Sequence, residues 1–328
     1  MAPSRRPLPR LLGGAAALAL AALALLACGK RRSPAPDWVT SAPAGTVMAV
    51  SGRAGWVIGQ PGFQGLLRNV PFAEQTLDLF LKKARITPHK DSGRVSLYVL
   101  SFPKPGADGK EVPEFIIQLG GFKDQAAVNL AVTDAFPTEG SLPINRQELP
   151  IHVILDVNQV HIRAVADTEG RVWLGDLKTL TRLDQGFLSP RHPVLKASEW
   201  TSPDAPIQGF VQAGALLEGL AGRVPPEMAQ SLPKGVESLA WSVAPGDHGL
   251  HRFDLALTGS PEAILQVAPW VQRFMAAASA MQGAPGAQPP ELLQERNRIG
   301  LRCQLSGDQI NQALAKVAQP ALSLGRKI

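Results

Sequence analysis

The chain has 328 residues, of which 45% are hydrophobic, 18% charged and 5% aromatic, a globular composition that argues against a disordered body. Its 33 Lys and Arg exceed its 27 Asp and Glu to give a formal charge of +6, yet Arg5, Arg6, Arg10, Lys30, Arg31 and Arg32 hold the whole excess, and the counts are equal at 27 from residue 33 onward. The basic character therefore belongs to the start of the chain and speaks against nucleic-acid binding by the rest.

The first predicted element is a leader. An apolar run from Leu11 to Ala27 follows the arginines and ends in Leu25, Leu26, Ala27 and Cys28. A basic start, an apolar stretch and a small residue before the cut are the parts of an export signal. This one resembles the lipobox of bacterial lipoproteins, with Leu25 three residues before the Cys, Ala27 just before it and Leu26 an accepted middle residue. The resemblance implies cleavage after Ala27, leaving 1–27 as a signal peptide, and lipidation of Cys28 by a diacylglycerol group, often with a further chain such as palmitate. Two or three chains anchor stably where one is marginal, at about 0.8 kcal/mol per buried methylene. The competing reading is a retained membrane anchor, but the Gly- and Ala-rich run of residues 11–27 lies at the lower limit of a span.

Two details qualify the export route and orientation. Ser4 to Arg10 partly resembles a twin-arginine signal, from which Pro9 and the missing Phe depart, so the general secretory and twin-arginine routes both stay open. Basic residues flank the apolar run on both sides, which removes charge as a guide to orientation. The resemblance implies a bacterial cell envelope protein, held to the membrane through acyl chains on Cys28 and facing the periplasm or the exterior. Gly29, in place of an Asp after the Cys, favours the outer membrane in a cell with two membranes. Residues 28–37 form the lipidated tether, whose Lys30, Arg31 and Arg32 either contact anionic head groups, at about 1 kcal/mol each, or remain solvated.

The only other cysteine is Cys303. Lipidation of Cys28 would leave it without a disulfide partner. It alternates with polar residues in Ile299, Leu301, Cys303 and Leu305, which predicts a thiol on the apolar face of a strand, acting as a small hydrophobe.

Along the body, the chain matches itself in order. Trp38, Thr40, Ser41 and Pro43 precede an apolar strand at Val47 to Val50, and Trp200, Thr201, Ser202 and Pro203 precede another at Ile207 to Val211. Gly93 with Val95 to Leu100 corresponds to Gly235 with Val236 to Val243. Phe115, Ile117, Leu119 and Gly121 correspond to Phe253, Leu255, Leu257 and Gly259, followed by helices at about Lys123 to Phe136 and Pro261 to Met281. Gly175 and Asp176 open one short helix, and Gly307 and Asp308 open another. The expectation is an α+β fold of two diverged ferredoxin-like (βαββαβ) halves related by internal duplication, 38–190 and 191–328, joined near residues 185 to 199.

Local chemistry fits the helices. Ser260 is placed as an N-cap before Pro261 and Glu262, and Ile264, Ala268, Val271, Met275 and Ala278 make one apolar face, with Val267 and Phe274 beside it, on a helix that Pro269 should kink. Phe72, Leu77, Phe80, Leu81 and Ala84 form a similar stripe after Pro71. Such stripes are core far more often than ligand pocket.

An extra hairpin belongs to the first half. Ile151, Val153 and Leu155 alternate with polar residues, as do Val160 and Ile162, around Asp156 to Gln159, and Arg171 to Leu174 adds a third strand. A two-residue turn pairs His152 with Arg163 and His161 with Ile154, placing His152, His161 and Asp156 on one face within reach of a shared metal ion. The competing reading, polar groups on the wet side of an antiparallel pair, is preferred. No metal, cofactor or catalytic residue is assigned.

Other chemistry is not indicated. The sequence holds no GxSxG, HExxH, Walker or GxGxxG pattern. His89, His192, His248 and His251 fall in loops or at strand ends, and Asp176 and Asp308 are explained as N-caps. The expectation is a non-catalytic interaction or scaffold module with an envelope protein partner. The alternatives are a carrier or chaperone for lipid or another apolar ligand and, less favoured, an envelope hydrolase.

Overall fold

A computed structural model describes residues 36–58, 73–87, 93–102, 114–144, 146–157, 160–215, 235–246, 250–281 and 289–306. The leader, Cys28, His89, His248 and Asp308 lie outside them. The described strands are β1 (Met48–Arg53), β2 (Arg94–Ser101), β3 (Glu114–Gly120), β4 (Thr138–Ile144), β5 (Gln147–Val157), β6 (Val160–Ala166), β7 (Val172–Gly175), β8 (Ile207–Gln212), β9 (Val236–Pro245), β10 (His251–Gly259), β11 (Glu291–Glu295) and β12 (Arg298–Leu305). All belong to one 12-stranded sheet in the order β11-β12-β10-β9-β8-β1-β2-β3-β7-β6-β5-β4, and every neighbouring pair is antiparallel.

This order corrects the ferredoxin-like expectation. In a split βαβ unit a third strand lies between the two that a helix connects. Here β1 and β2 are direct neighbours although α2 (Ala54–Ile58) and α3 (Ala73–Lys83) intervene in sequence, and β3 and β7 are neighbours although α4 (Gln125–Thr133) intervenes. The expected join is also no gap between bodies. β1 pairs with β8 from Met48 opposite Val211 to Gly52 opposite Ile207, so both parts share one hydrogen-bonded sheet.

Alternation along the strands makes two different faces. On the first lie Ala49, Tyr98, Ile116, Trp173 and Phe210, in one core with Trp38 and Val39 of α1 (Asp37–Thr40), Leu180 of α5 (Leu177–Leu180) and Val194, Leu195 and Ala197 of α6 (Pro193–Ser198). On the second, Val128, Ala131 and Val132 of α4 join Ala54, Ala84, Ala164 and Val172. The same face farther along carries Leu257, Ile299 and Leu301 beneath Ile264, Val267, Ala268 and Val271 of α7 (Pro261–Met281).

α7 has the bounds expected from sequence and continues through Pro269. Ser260 caps it, its Oγ accepting from Ala263 N at 3.2 Å. α4 is shorter than expected, with Asp124 as its cap accepting from Ala127 N at 3.0 Å. Phe80, Leu81 and Ala84 pack into the core as the first-half stripe requires. The side chains of Phe72, Leu77, Phe274 and Ala278 fall outside the description.

Some internal correspondences dissolve in three dimensions. Trp38 lies in α1 and stacks on Phe210 with centroids 5.8 Å apart, whereas Trp200 lies beyond α6 under the guanidinium of Arg298, 4.8 Å from its centroid. The pair Phe115/Phe253 fares better: Phe115 opposes Val99 in β2 and Phe253 opposes Val243 in β9, matching places in the two runs.

Candidate functional site

A strip of polar side chains crosses the first face of the sheet at a single level. Gln118 opposes Ser96, Ser96 opposes Ser51 and Ser51 opposes Gln208. The level continues through Ser242, Asp254, Arg302 and Glu291. The next level on that face is apolar, running Ile116, Tyr98, Ala49, Phe210, Ala240, Ala256 and Gly300. From Gln118 to Asp254 the strip is buried, and buried polar groups are tolerated only when hydrogen-bonded.

Their partners are the segments that cross this face. Trp38 Nε1 donates to Gln208 Oε1, and Gln208 Nε2 donates to Ser202 O at 2.7 Å. Ser202 N donates to Ser242 Oγ at 2.9 Å, and Ser242 Oγ donates to Asp254 Oδ2 at 3.1 Å. Arg302 Nε reaches Asp254 Oδ1 at 2.6 Å. Toward the other end, Tyr98 Oη lies 2.8 Å from both Trp38 O and Gln118 Oε1, and Gln118 Nε2 donates to Ser41 Oγ at 3.3 Å. Burial pushes the Tyr98 phenol above its ordinary value, which keeps it a neutral donor.

The strip opens into a cleft of about 500 Å³ at its β3 end, bordered by Asp37, Trp38, Thr40, Ser41, Arg94, Gln118, Gly120, Gly121, Glu169, Arg171 and Phe187. Its base is Arg94. Nε donates to Ser51 Oγ at 2.9 Å, and Nη1 and Nη2 each donate to Ala205 O at 3.1 Å. Burial, helped by the neighbouring Arg53 charge, brings this guanidinium down to about 10, so it stays charged at neutral pH. Arg171 forms the wall. It pairs with Asp167 at 2.7 Å and Glu169 at 2.8 Å, and its guanidinium carbon lies 5.5 Å from the Trp173 centroid and 5.2 Å from that of Phe187. Sequence reading missed this cleft, because Arg94, Arg171 and Asp37 meet only through strand register and the turn at residues 167–170.

The hairpin expected to gather His152, His161 and Asp156 does not do so. Val157 pairs with Val160, and Asp156 opposes His161. A bulge between Val153 and Leu155 then sets His152 opposite Ala164. Ala164 belongs to the second-face core and Val165 to the first, so the bulge turns His152 to the opposite face from His161. His152 is buried with Nδ1 3.2 Å from Phe136 O. His161 Nδ1 is 2.5 Å from Asp156 Oδ1, in the open. This contact first, and the Arg163 charge after it, hold the Asp156 carboxyl below its usual range. Arg163 also reaches Glu139 at 2.5 Å. Among the described residues no group of three His, Cys, Asp or Glu side chains could hold a metal ion.

The remaining singled-out residues have structural roles. Asp176 Oδ1 accepts from Thr179 N at 2.7 Å as an N-cap. His192 caps α6, its Nδ1 accepting from Val194 N at 3.4 Å. Cys303 is buried on β12, where burial first and the Asp254 charge second push its thiol up to about 11. Among the described residues no helix is long and apolar enough to cross a membrane. No protein-family model, no curated protein and no solved structure matches the chain.

Proposed function

We propose that this chain is an envelope lipoprotein, held to the membrane by acyl chains on Cys28 and acting as a non-catalytic interaction or scaffold module for an envelope protein partner. The observation that carries the anchor is the sequence Leu25, Leu26, Ala27, Cys28 behind its basic and apolar leader. In support of a structural task, Asp254 is engaged by Arg302 on the neighbouring strand, and Asp176 and His192 are engaged as caps of their own helices.

We further propose that the body arose by internal duplication of a unit of three strands, a helix and two strands. The run β1-β2-β3-α4-β6-β7 corresponds to β8-β9-β10-α7-β11-β12, which makes β4 and β5, rather than the β5 and β6 expected from sequence, the hairpin extra to the first part. Both runs have the same sheet order, both helices are capped by a side chain bonded to the third amide beyond it, and the two runs meet through their first strands.

A second reading, carriage of a lipid or other apolar ligand, draws on the middle of the second face. Leu97 is 37% exposed there, and its cross-strand neighbours Val50 and Ile117 are only half-buried, as are Trp241, Val243 and Phe253 nearby.

One measurement separates these readings. Mass spectrometry of the protein extracted from its native membrane, with lipids and partners retained, is expected to find acyl chains on Cys28 and a stoichiometric protein partner. An unmodified Cys28 would end the anchor reading. A bound lipid in place of a protein would favour carriage.

A further inference from the structure

The cleft at Arg94 contains a guanidinium that no carboxylate bonds among the described residues. Arg94 and Arg53 stand directly opposite each other on β2 and β1. Arg53 donates to Asp204 O, and Arg94 to Ser51 Oγ, Ser51 O and Ala205 O, so both bond only to neutral oxygens among the described residues. The Arg53 charge repels Arg94 more strongly than the Asp204 carboxylate attracts it, and a half-buried cation has less water to compensate. Arg94 Nη1 makes one bond, to Ala205 O, which leaves a second N–H for a further acceptor, and Arg94 borders the cleft.

The shape of the cleft adds to this. Gly120 carries the Arg53 and Arg94 level onto β3, and a Cβ there would stand 3.4 Å from Arg171 Cγ, so the glycine makes room for the Arg171 stem to lie along the wall. Arg171 is already balanced by Asp167 and Glu169. Arg94 is the charge left to bind. Trp38 and Phe187 supply apolar lining, and the exposed Asp37 at the rim disfavours multiply charged anions over a singly charged one.

We propose that this cleft binds a phosphate ester, with its oxygens on Arg94 and its organic part against Trp38 and Phe187. A charge-assisted bond from a fixed guanidinium is the strongest single contact such a cleft offers. The ester can be a phospholipid headgroup or a free one. The lipid source rests on the anchor proposed above, since Asp37 follows Cys28 by only nine residues in the chain. The site itself does not depend on acylation.

The test uses the full-length protein in detergent with Lys30, Arg31 and Arg32 changed to Gln, so that the tether charges do not bind the probe. It is titrated with water-soluble dihexanoyl phosphatidylglycerol, with the equally singly charged glycerophosphoglycerol and with uncharged dihexanoylglycerol, and read by tryptophan fluorescence and by the thermal midpoint. Saturable binding is expected with a phosphorylated probe and none with dihexanoylglycerol. Arg94→Gln should weaken it at least about tenfold, as loss of a charged hydrogen bond does, with Arg94→Lys recovering part of the loss. Thr40→Glu should weaken it similarly without disturbing Arg94, because Thr40 is exposed and its Oγ1 bonds only within α1. That variant decides the matter if Arg94→Gln does not fold. Binding of phosphatidylglycerol alone identifies the lipid source, and equal binding of glycerophosphoglycerol identifies the free ester. No saturable response, or one unchanged in Arg94→Gln and Thr40→Glu, overturns the site. Retained binding in a chain whose Cys28 proves unmodified overturns only the anchor.

Discussion

The indole of Trp241 occupies the space above Gly209 where a side chain would stand. The two residues oppose each other on β9 and β8, and a Cβ at residue 209 would come within 2.4 Å of the ring. Gly209→Ala is therefore expected to destabilise the protein by about 1–3 kcal/mol through overpacking. Urea unfolding measures it, and the same change in a Trp241→Leu background should cost less, since the two sites are coupled. Equal costs in both backgrounds would show that the ring is not the obstacle.

Asp254 is 2% exposed and accepts from Arg302 at 2.6 Å and Ser242 at 3.1 Å. Asp254→Ala takes the carboxylate from Arg252, 3.4 Å away, as well as from Arg302 and the buried Ser242 hydroxyl, at an expected cost of about 3 kcal/mol. The double variant Asp254→Ala with Arg302→Leu should recover part of that loss in denaturant melts.

Burial holds the His192 imidazole below its ordinary 6.5. In the interval between the folded value and 6.5 the unfolded chain binds the proton more readily, so stability rises with pH there, is complete above it and is lost as pH falls through it. Acidification from about pH 7.5 to about 5.5 should lower the thermal midpoint on this account. His192→Asn keeps a capping acceptor for Val194 N and should flatten the slope over that interval. An unchanged slope would assign the pH dependence elsewhere.

The Cys303 thiol, buried and pushed up to about 11, should resist alkylation by iodoacetamide in the native protein and react on unfolding. Mass spectrometry of the peptide containing residue 303 checks this. Fast native labelling would place the thiol in solvent.

The parts of this fold that were legible in the sequence are those set by neighbours in the chain. The α7 bounds follow from Ser260, Pro261 and an unbroken apolar face, and the burial of Cys303 from alternation over a few residues. The features that escaped depend on register. The bulge between Val153 and Leu155 has no Gly or Pro to announce it, yet it moves His152 to the other side of the sheet. The polar strip was equally hidden, because Ser51, Gln208 and Asp254 look like ordinary alternation until β1, β8 and β10 are set side by side. The cleft at Arg94 inherits that difficulty, being assembled from α1, two strands and a turn.

The antiparallel contact between β1 and β8 bears on ancestry. On the duplication proposed above these are corresponding strands, and an antiparallel contact between corresponding strands is the isologous seam of a symmetric dimer. On that proposal the chain is a former pair of subunits made continuous, with Val50 opposite Gly209 where the rotation axis would have passed. Once the copies were joined in one chain, each was free to drift. The level holding Ser51 and Gln208 became polar while the next, holding Ala49 and Phe210, stayed apolar, a difference no true homodimer could have kept.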